Sequence, residues 1–501
     1  MNGLELLLSG FASVLTVKNI LLMTCGVAGG IVVGALPGLS ATMGVALLVP
    51  LSFGMPTVSA LVLLMAIYCG AVYGGSISAI LIRTPGTPAA CATVFDGHPM
   101  AARGEAGKAL GWAVVASFVG GLVSAVVLTA AAPQIAGVAL RFSAPEYFAL
   151  AVFGLTIIVS ISGKDLVKGF ISACLGLLVA TVGTDPMQGY PRFAFGQMNL
   201  YSGVSVISVL IGLFAMPEVL NNAETILMSK SAVRQKITNI VPSLKEFVQK
   251  IPIMLGSSAI GTFIGALPAA GADLAALVAY DQTKRFSKTP ERFGTGCVDG
   301  VIAAEAANNA VTGGAMIPLL TLGIPGDAVT AVLLGALMIH GLRPGPLLLQ
   351  DHAAEVYSVF AGLFIINVVM LVIGLAGARQ FARVLNVSKK ALMPVVLTLC
   401  FVGSYAVQSN VFDMRVTLFF GIIGYLMLKL EFPVAPMVLG FILGALAENN
   451  LRLALVMTSG DASVFFRRPI SAAFLALAAV SVLYSLRAVA REKKHAAGKQ
   501  Q

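Results

Sequence analysis

The chain has 501 residues, 58% of them hydrophobic and 11% charged, with a mean hydropathy of +0.93; soluble domains carry roughly 25% charged residues, so a soluble globular protein is excluded. Its net charge of +10 sits in short loops between apolar runs, the positive-inside pattern of a polytopic membrane protein rather than a nucleic-acid binder. Cys25, Cys69, Cys91, Cys174, Cys297 and Cys400 form no C-x-x-C and no metal spacing, and free thiols are expected.

From the N-terminus, Leu4, Leu7, Leu8, Phe11 and Leu15 recur at helical spacing and predict a short interfacial helix over 1–16. No basic n-region precedes it, the first lysine being Lys18, so no cleavable signal peptide is expected. Apolar sequence runs from Ile20 to Phe53 with a break at Leu36-Pro37-Gly38, then from Val58 to Val72, ending in Tyr73-Gly74-Gly75-Ser76. Residues 76–96 contain Arg83, Pro85, Gly86 and Pro88, which predicts a re-entrant or broken hairpin with Thr84-Pro85-Gly86-Thr87 at its turn. Asp96 to Lys108 reads as a cytoplasmic loop. Spans are predicted at 109–132, 145–162, 166–184 and 200–220. The loop 185–199, with Arg192 as its single cation, suits the outer side. Residues 221–250 carry Lys230, Arg234, Lys236, Lys245 and Lys250 and predict a cytoplasmic linker between halves 1–220 and 251–501.

The second half opens with Ile251 to Tyr280, broken at Leu267-Pro268 and flanked by basic loops on both sides. Two basic flanks predict that this segment enters the membrane and returns, with Pro268 near the turn. Ala303 to Asn309, Gly313-Gly314, a break at Pro325-Gly326 and Ala328 to Ile339 follow. Further spans are predicted at 354–376, 391–407, 414–430, 433–447 and 469–489, giving about 10–12 crossings in all by the length rule. The basic tail Arg487 to Lys499 is expected in the cytoplasm.

The breaks repeat. Gly30-Ile-Val-Val-Gly-Ala-Leu-Pro-Gly38 returns as Gly261-Thr-Phe-Ile-Gly-Ala-Leu-Pro-Ala269, displaced by 231 residues (268 − 37). Thr84-Pro85-Gly86 returns as Ile324-Pro325-Gly326, displaced by 240 (325 − 85). One G-x-x-x-G alone would read equally as a helix-packing motif. Two matched pairs of breaks instead predict an all-α transporter built from two repeat halves of inverted topology, with the solute site at the broken helices. Pro removes a backbone donor, and the polar backbone so freed is tolerated in a membrane only against protein or a water-filled cavity.

Helix starts beyond such breaks suit a carboxylate. The candidate substrate-binding residues are Pro37, Gly38, Ser40, Thr84, Pro85, Gly86, Thr87, Pro268, Asn308, Asn309, Pro325 and Gly326, with Thr312 beside them. Serine and threonine in a membrane helix commonly bond back to their own helix, whereas the adjacent amides Asn308 and Asn309 need partners in apolar sequence. Arg83 either pairs a substrate carboxylate or snorkels to the interface. Asp273 and Asp327 each lie beside a break; at membrane depth a carboxylate is paired, protonated or ion-bound. By the two displacements Asp273 matches Thr42 and Asp327 matches Thr87. Thr42, Asp273 and Asp327 are therefore candidate oxygen ligands for a coupling ion, Na⁺ or H⁺, although an Asp there also serves as a helix cap. No organic cofactor and no other metal is expected.

Several stretches resemble the large membrane subunit of tripartite tricarboxylate transporters. They are Tyr73-Gly-Gly-Ser-Ile-Ser-Ala-Ile-Leu-Ile-Arg-Thr-Pro-Gly-Thr-Pro88, Phe95-Asp-Gly-His-Pro-Met-Ala101, Glu305-Ala-Ala-Asn-Asn-Ala310, Leu322-Gly-Ile-Pro-Gly326 and Gly341-Leu-Arg-Pro-Gly-Pro346. The resemblance spans roughly 20–450. It implies ion-driven uptake of citrate-like carboxylates across a bacterial inner membrane, with a periplasmic solute-binding protein and a small membrane subunit as partners. The chain departs from the family pattern at Ala269 (usually Gly), Arg83 (usually Asn) and Asp327 (usually Ser).

A passive anion channel is the alternative, and an intramembrane enzyme is a remote one. Tyr280-Asp281 and Gly271-Ala-Asp273 lie eight residues apart in one segment, whereas aspartyl proteases of the membrane resemble Y-D and G-x-G-D on separate helices. There is no H-E-x-x-H and no Walker A, and His98, His340, His352 and His495 show no ligand spacing.

Overall fold

The computed structural model describes residues 2–161, 166–225, 237, 240–268, 270–385, 387 and 389–498. The first half comprises α1 (Gly3–Val14), α2 (Val17–Ala35), α3 (Ala41–Ser52), α4 (Thr57–Ile82), α5 (Thr93–Ala102), α6 (Ala106–Ala139), α7 (Ala144–Ile161) and α8 (Leu166–Ala180). It continues through α9 (Val206–Leu210), a π-turn at Ile211–Ala215 and α10 (Met216–Thr225). The second half runs α11 (Leu244–Gly265), α12 (Gly271–Phe286), α13 (Val298–Gly314), α14 (Met316–Leu322), α15 (Ala328–Ile339) and α16 (Leu348–Asp351). It closes with α17 (Ala353–Val384), α18 (Lys389–Gln408), α19 (Val411–Lys429), α20 (Val434–Met457), α21 (Val464–Arg467) and α22 (Pro469–Gly498). Among the described residues, eight helices are long and apolar enough to cross a membrane. The all-α polytopic class read from composition is the observed one, and all six cysteines are free.

The helices start where short polar side chains can take an orphan N–H. Ser40 Oγ accepts from Met43 N at 3.1 Å and Ser243 Oγ from Glu246 N at 3.3 Å. Peripheral helices turn apolar stripes outward, such as Leu418, Phe419, Ile422 and Leu426 on α19, as a lipid-facing helix does. At the centre, α4 is buried from Ser59 to Leu81 and α13 from Gly300 to Gly314.

The repeat seen in the sequence is present in the packing. Glycines of α2 lie on α4 so closely that a Cβ at Gly34 would overlap the backbone of Ala71. In the second half Gly265 meets Val311, displaced by 231 and 240 residues respectively. The same two displacements carry the contact of Ile31 with Gly74 onto Thr262 with Gly314, and that of Gly34 with Gly86 onto Gly265 with Gly326. Three contacts thus recur at the same two displacements in α2–α4 and in α11–α13–α14.

Four boundaries differ from the sequence reading. Residues 76–82 belong to α4, because Gly74 and Gly75 are helical; their packing against Ile31 and Thr87 outweighs a helix cost of about 1 kcal/mol each. Asp96 lies on α5 rather than in a loop, and the span expected from 200 begins at Val206. Residues 221–225 and 244–250 of the expected linker are helical; 226–236, with Lys230, Arg234 and Lys236, lie outside the described residues.

Candidate functional site

All four breaks interrupt the run of helices. At the first, Gly38 has φ +91° and its carbonyl accepts from Asn222 Nδ2 at 2.7 Å; Pro37 precedes it and Ser40 caps α3, with Thr42 buried in the first turn. At the second, Thr84 is exposed and donates to Ile82 O at 3.3 Å, Pro85 is half-buried, and Gly86 N donates to Gly75 O at 3.2 Å. Thr87 is buried and its Oγ1 has no partner. At the third, Pro268 is buried, Ala269 lies outside the described residues, and α12 starts at Gly271 with an exposed Asp273 in its first turn. At the fourth, Pro325 and Gly326 are buried and Asp327 caps α15, its Oδ1 accepting from Thr330 N at 2.7 Å.

The two halves interlock at these breaks. The turn Pro88–Ala90, which follows the second break, packs on α12, while α15, which follows the fourth, packs on α3. Asn308 Nδ2 on α13 donates to Ala89 O at 3.0 Å. Tyr68 OH on α4 donates to Asp327 Oδ2 at 2.5 Å. Positions 68 and 308 are themselves separated by 240, so each half reaches into the other's post-break segment from the same place.

Behind the second break lies a fully buried polar cluster on one face of α13. Glu305, Asn308 and Asn309 occupy i, i+3 and i+4 and share that face. Thr93 OH on α5 donates to Glu305 Oε1, and Ser117 OH on α6 donates to Oε2 at 3.1 Å. Asn309 Nδ2 donates to Ser117 Oγ at 2.8 Å and to Asn308 Oδ1 at 2.7 Å, and Thr312 Oγ1 bonds back to Asn309 O. Glu305, Thr93 and Ser117 are 0% exposed, and among the described residues no cation pairs with the carboxylate.

The structure thus brings Asn308 and Asn309 to the second break, and Asp327 to α4. It does not join the three residues expected to hold an ion: Asp273 is exposed, and no hydrogen bond among the described residues links it to Thr42 or Asp327. Glu305, Thr93, Ser117 and Tyr68 were missed as site residues. For Glu305 a signal existed, since an acid in Ala-rich apolar sequence needs a partner and the amides three and four residues on supply its surroundings. Asp96 was missed as well. It is 0% exposed, its Oδ1 accepts from Gly294 N, Gly296 N and Cys297 N at 2.7–2.9 Å, and its Oδ2 accepts from Tyr280 OH at 2.8 Å. That residue fastens α5 to α12 and to the basic loop before α13. On the same face a cavity of about 600 Å³ is lined by charges of both signs, Arg103, Lys108, Lys250 and Arg292 with Glu105, Glu246 and Asp299.

The tripartite tricarboxylate transporter TctA family matches residues 20–439 of the chain. Two curated relatives come from Agrobacterium vitis. An uncharacterised 52.8 kDa protein in the TAR-I ttuC' 3' region is 37% identical over 97% of this chain and 96% of its own length. An uncharacterised protein in the TAR-II ttuC' 3' region is 36% identical over 47% of this chain and 97% of its own. No solved structure matches. The family match covers all four breaks and the Glu305 cluster, and the chain belongs to the TctA family of tripartite tricarboxylate transporters.

Proposed function

We propose that the chain is the permease subunit of a binding-protein-dependent secondary transporter that imports tricarboxylates or related carboxylates through a bacterial inner membrane, driven by Na⁺ or H⁺. Its partners are a periplasmic solute-binding protein and a small membrane subunit, and its C-terminus faces the cytoplasm. The two halves form an inverted repeat with the solute between them, among the residues of the four breaks.

The observation that carries this reading is the interlocked pair of broken helices, together with the unequal charge of their starts. α12 has Asp273 in its first turn and α15 has Asp327 at its cap. The first turn of α3 holds no acid and is framed by Ser40 and Thr42. No acid offsets the positive end of α3, whose cap is the neutral Ser40, and a substrate carboxylate binds there. Of the three residues expected at the coupling ion, Asp273 stands in an exposed first turn apart from Thr42 and Asp327, and it is the one tested below.

The test is uptake of labelled carboxylates into proteoliposomes, with the chain alone or with both partners. Accumulation above the external concentration is expected only with the binding protein and an imposed ion gradient. Full-rate uptake by the chain alone, or equilibration without a gradient as a passive anion channel gives, would contradict the reading. Asp273→Asn is expected to change the dependence on Na⁺ or pH; an unchanged dependence at normal protein level removes Asp273 from the mechanism.

A further inference from the structure

The geometry points to Glu305 as a proton-binding carboxyl that couples proton movement to the second break, separate from the residues that frame α3. This inference rests on the transport reading and names the proton as the ion that reading requires.

The carboxyl group is sealed in helix packing: α13 meets α4, α5, α6, α11 and α12, and Glu305 is 0% exposed. A carboxylate without a counter-charge in such surroundings is very costly, and binding one proton removes the charge. Among the described residues, no charged side chain faces it directly. α4 brings Tyr73, and Cys91 lies just before α5, both close enough to interact electrostatically. The part of α6 that packs here, 109–132, has no ionisable side chain, nor has α11 between 251 and 265. On α5, Asp96 is committed to Tyr280 and three backbone N–H groups, and His98 to Ile80 O. On α12, Asp273 stands beyond Cys91, whose thiol contacts its carbonyl.

A bound cation is the other way to neutralise the group, and the contacts disfavour it. A metal ion gathers several oxygens round one point. Here Thr93 and Ser117 hydrogen-bond the carboxylate directly, and Asn309 turns its NH₂, not its oxygen, toward Ser117 and Asn308. Among the described residues, two polar atoms around the cluster lack partners, Asn309 Oδ1 and Tyr73 OH, both in residues no more than 1% exposed. They are spare positions into which the hydrogen bonds can rearrange when the proton binds and a carboxyl oxygen turns from acceptor to donor.

The cluster is wired to the break. Glu305 bonds Ser117, Ser117 accepts from Asn309, Asn309 donates to Asn308, and Asn308 donates to Ala89 O in the turn beyond Thr84-Pro85-Gly86. On its other side Thr93 links the carboxyl to α5. Protonation adds one hydrogen to a carboxylate oxygen, so an oxygen that accepted now donates, and the chain must reorient. Two states of one network that both proton and substrate bias is what coupling requires. The first-half position matched to Glu305 is Met65, buried and apolar, so only one half carries this device.

Two measurements test it. Infrared difference spectra of the purified protein, wild type minus Glu305→Gln, are expected to show the C=O stretch of a protonated carboxyl at neutral pH, unchanged by added NaCl. A missing band, or its loss on adding Na⁺, overturns the assignment. In proteoliposomes holding both partner subunits, tested with a panel of labelled di- and tricarboxylates, Glu305→Gln should lose accumulation driven by a pH gradient. It should keep solute exchange at equal concentrations, with a flat pH profile, and Glu305→Asp should restore part of the accumulation. Normal pH-driven accumulation by Glu305→Gln, or drive by Na⁺ alone in the wild type, overturns proton coupling. Should the wild type transport no carboxylate of the panel, the transport reading fails instead, while the infrared band still reports on Glu305.

Discussion

Arg83 ends α4 with φ +57°, in the left-handed region where a Cβ costs roughly 1–2 kcal/mol. The matched position, 240 residues on, is Gly323, which ends α14 with φ +73°. The backbone demand is the same in both copies, and only the second meets it with the residue that suffers least. Arg83→Gly is therefore expected to stabilise by up to about 1 kcal/mol, read as a raised thermal midpoint in detergent; a lowered midpoint would mean that Arg83 makes a compensating contact. Gly323→Ala should destabilise, because a Cβ there also meets Pro344 O at 2.9 Å. The strut between the halves gives a second expectation. Tyr68→Phe removes the only side-chain donor to Asp327 Oδ2 among the described residues and leaves a buried acceptor unpaired, a loss of about 1–3 kcal/mol. Asp327→Asn should cost less, since the amide oxygen still caps α15 and the amide NH₂ can donate to the Tyr68 hydroxyl oxygen; equal costs would show that charge, not the cap, is what counts at 327.

The loop after α8 behaves as an element because a buried carboxylate holds it. Asp185 Oδ1 accepts from Met187 N at 2.9 Å and Gln188 N at 3.0 Å, and Oδ2 pairs with Arg452 of α20 at 2.7 Å; Arg192 of the same loop pairs with Glu448 at 2.6 Å. The backbone N–H groups of Gln188 and Met187, then Arg452, hold the Asp185 carboxyl down at about 2 from its ordinary 3.8. Its folded value is depressed, so its stabilising effect is complete above 3.8 and is lost as pH falls from there toward 2. Pepsin cutting within 185–199 should rise steeply over that window in the wild type. Asp185→Asn should show no such step, and parallel profiles for the two proteins would dissociate the loop from Asp185. The same loop marks how far the sequence could be read. Its outer placement was argued from a single cation, whereas the clamp onto α20 joins residues 267 apart and leaves no local pattern. Pro37, Pro268 and Pro325 were legible because each recurs in a matched frame beside a small residue; a lone proline such as Pro133 of α6 or Pro252 of α11 stays inside its helix. Gly74-Gly75 misled, because whether a glycine pair ends a helix or lets two helices touch depends on the partner. The Glu305 cluster draws on α5, α6 and α13, and only its α13 face could be seen in one stretch of sequence.

At the scale of the whole molecule, the matched contacts leave one question of direction, on which the charge pattern bears. α11 and α12 pack on each other and both on α13, with Lys245 and Lys250 at the start of the pair and Lys284, Arg285, Lys288 and Arg292 at its end. Arg103 Nη1 and Nη2 bond Thr295 O and Gly296 O at 2.8 and 2.6 Å, and Lys250 meets Asp299 at 2.5 Å, so these cations share one face. Short loops rich in Lys and Arg stay in the cytoplasm, so the α11–α12 pair is expected to enter from that side and return to it. Its counterpart, α2–α3, ends in Phe53-Gly-Met-Pro56, which carries no charge at all. If both pairs entered from one side, the positive-inside bias would be expected in both copies; a bias in only one fits two copies inserted in opposite senses. Gly54 and Lys288, both exposed, follow the matched half-helices α3 and α12. With the six native cysteines replaced, Gly54→Cys is expected to react with a membrane-impermeant thiol reagent in intact cells, and Lys288→Cys only after permeabilisation. Labelling of both from the same side would show that the repeats are parallel, and would move the solute site away from the pseudo-symmetric centre between the four breaks.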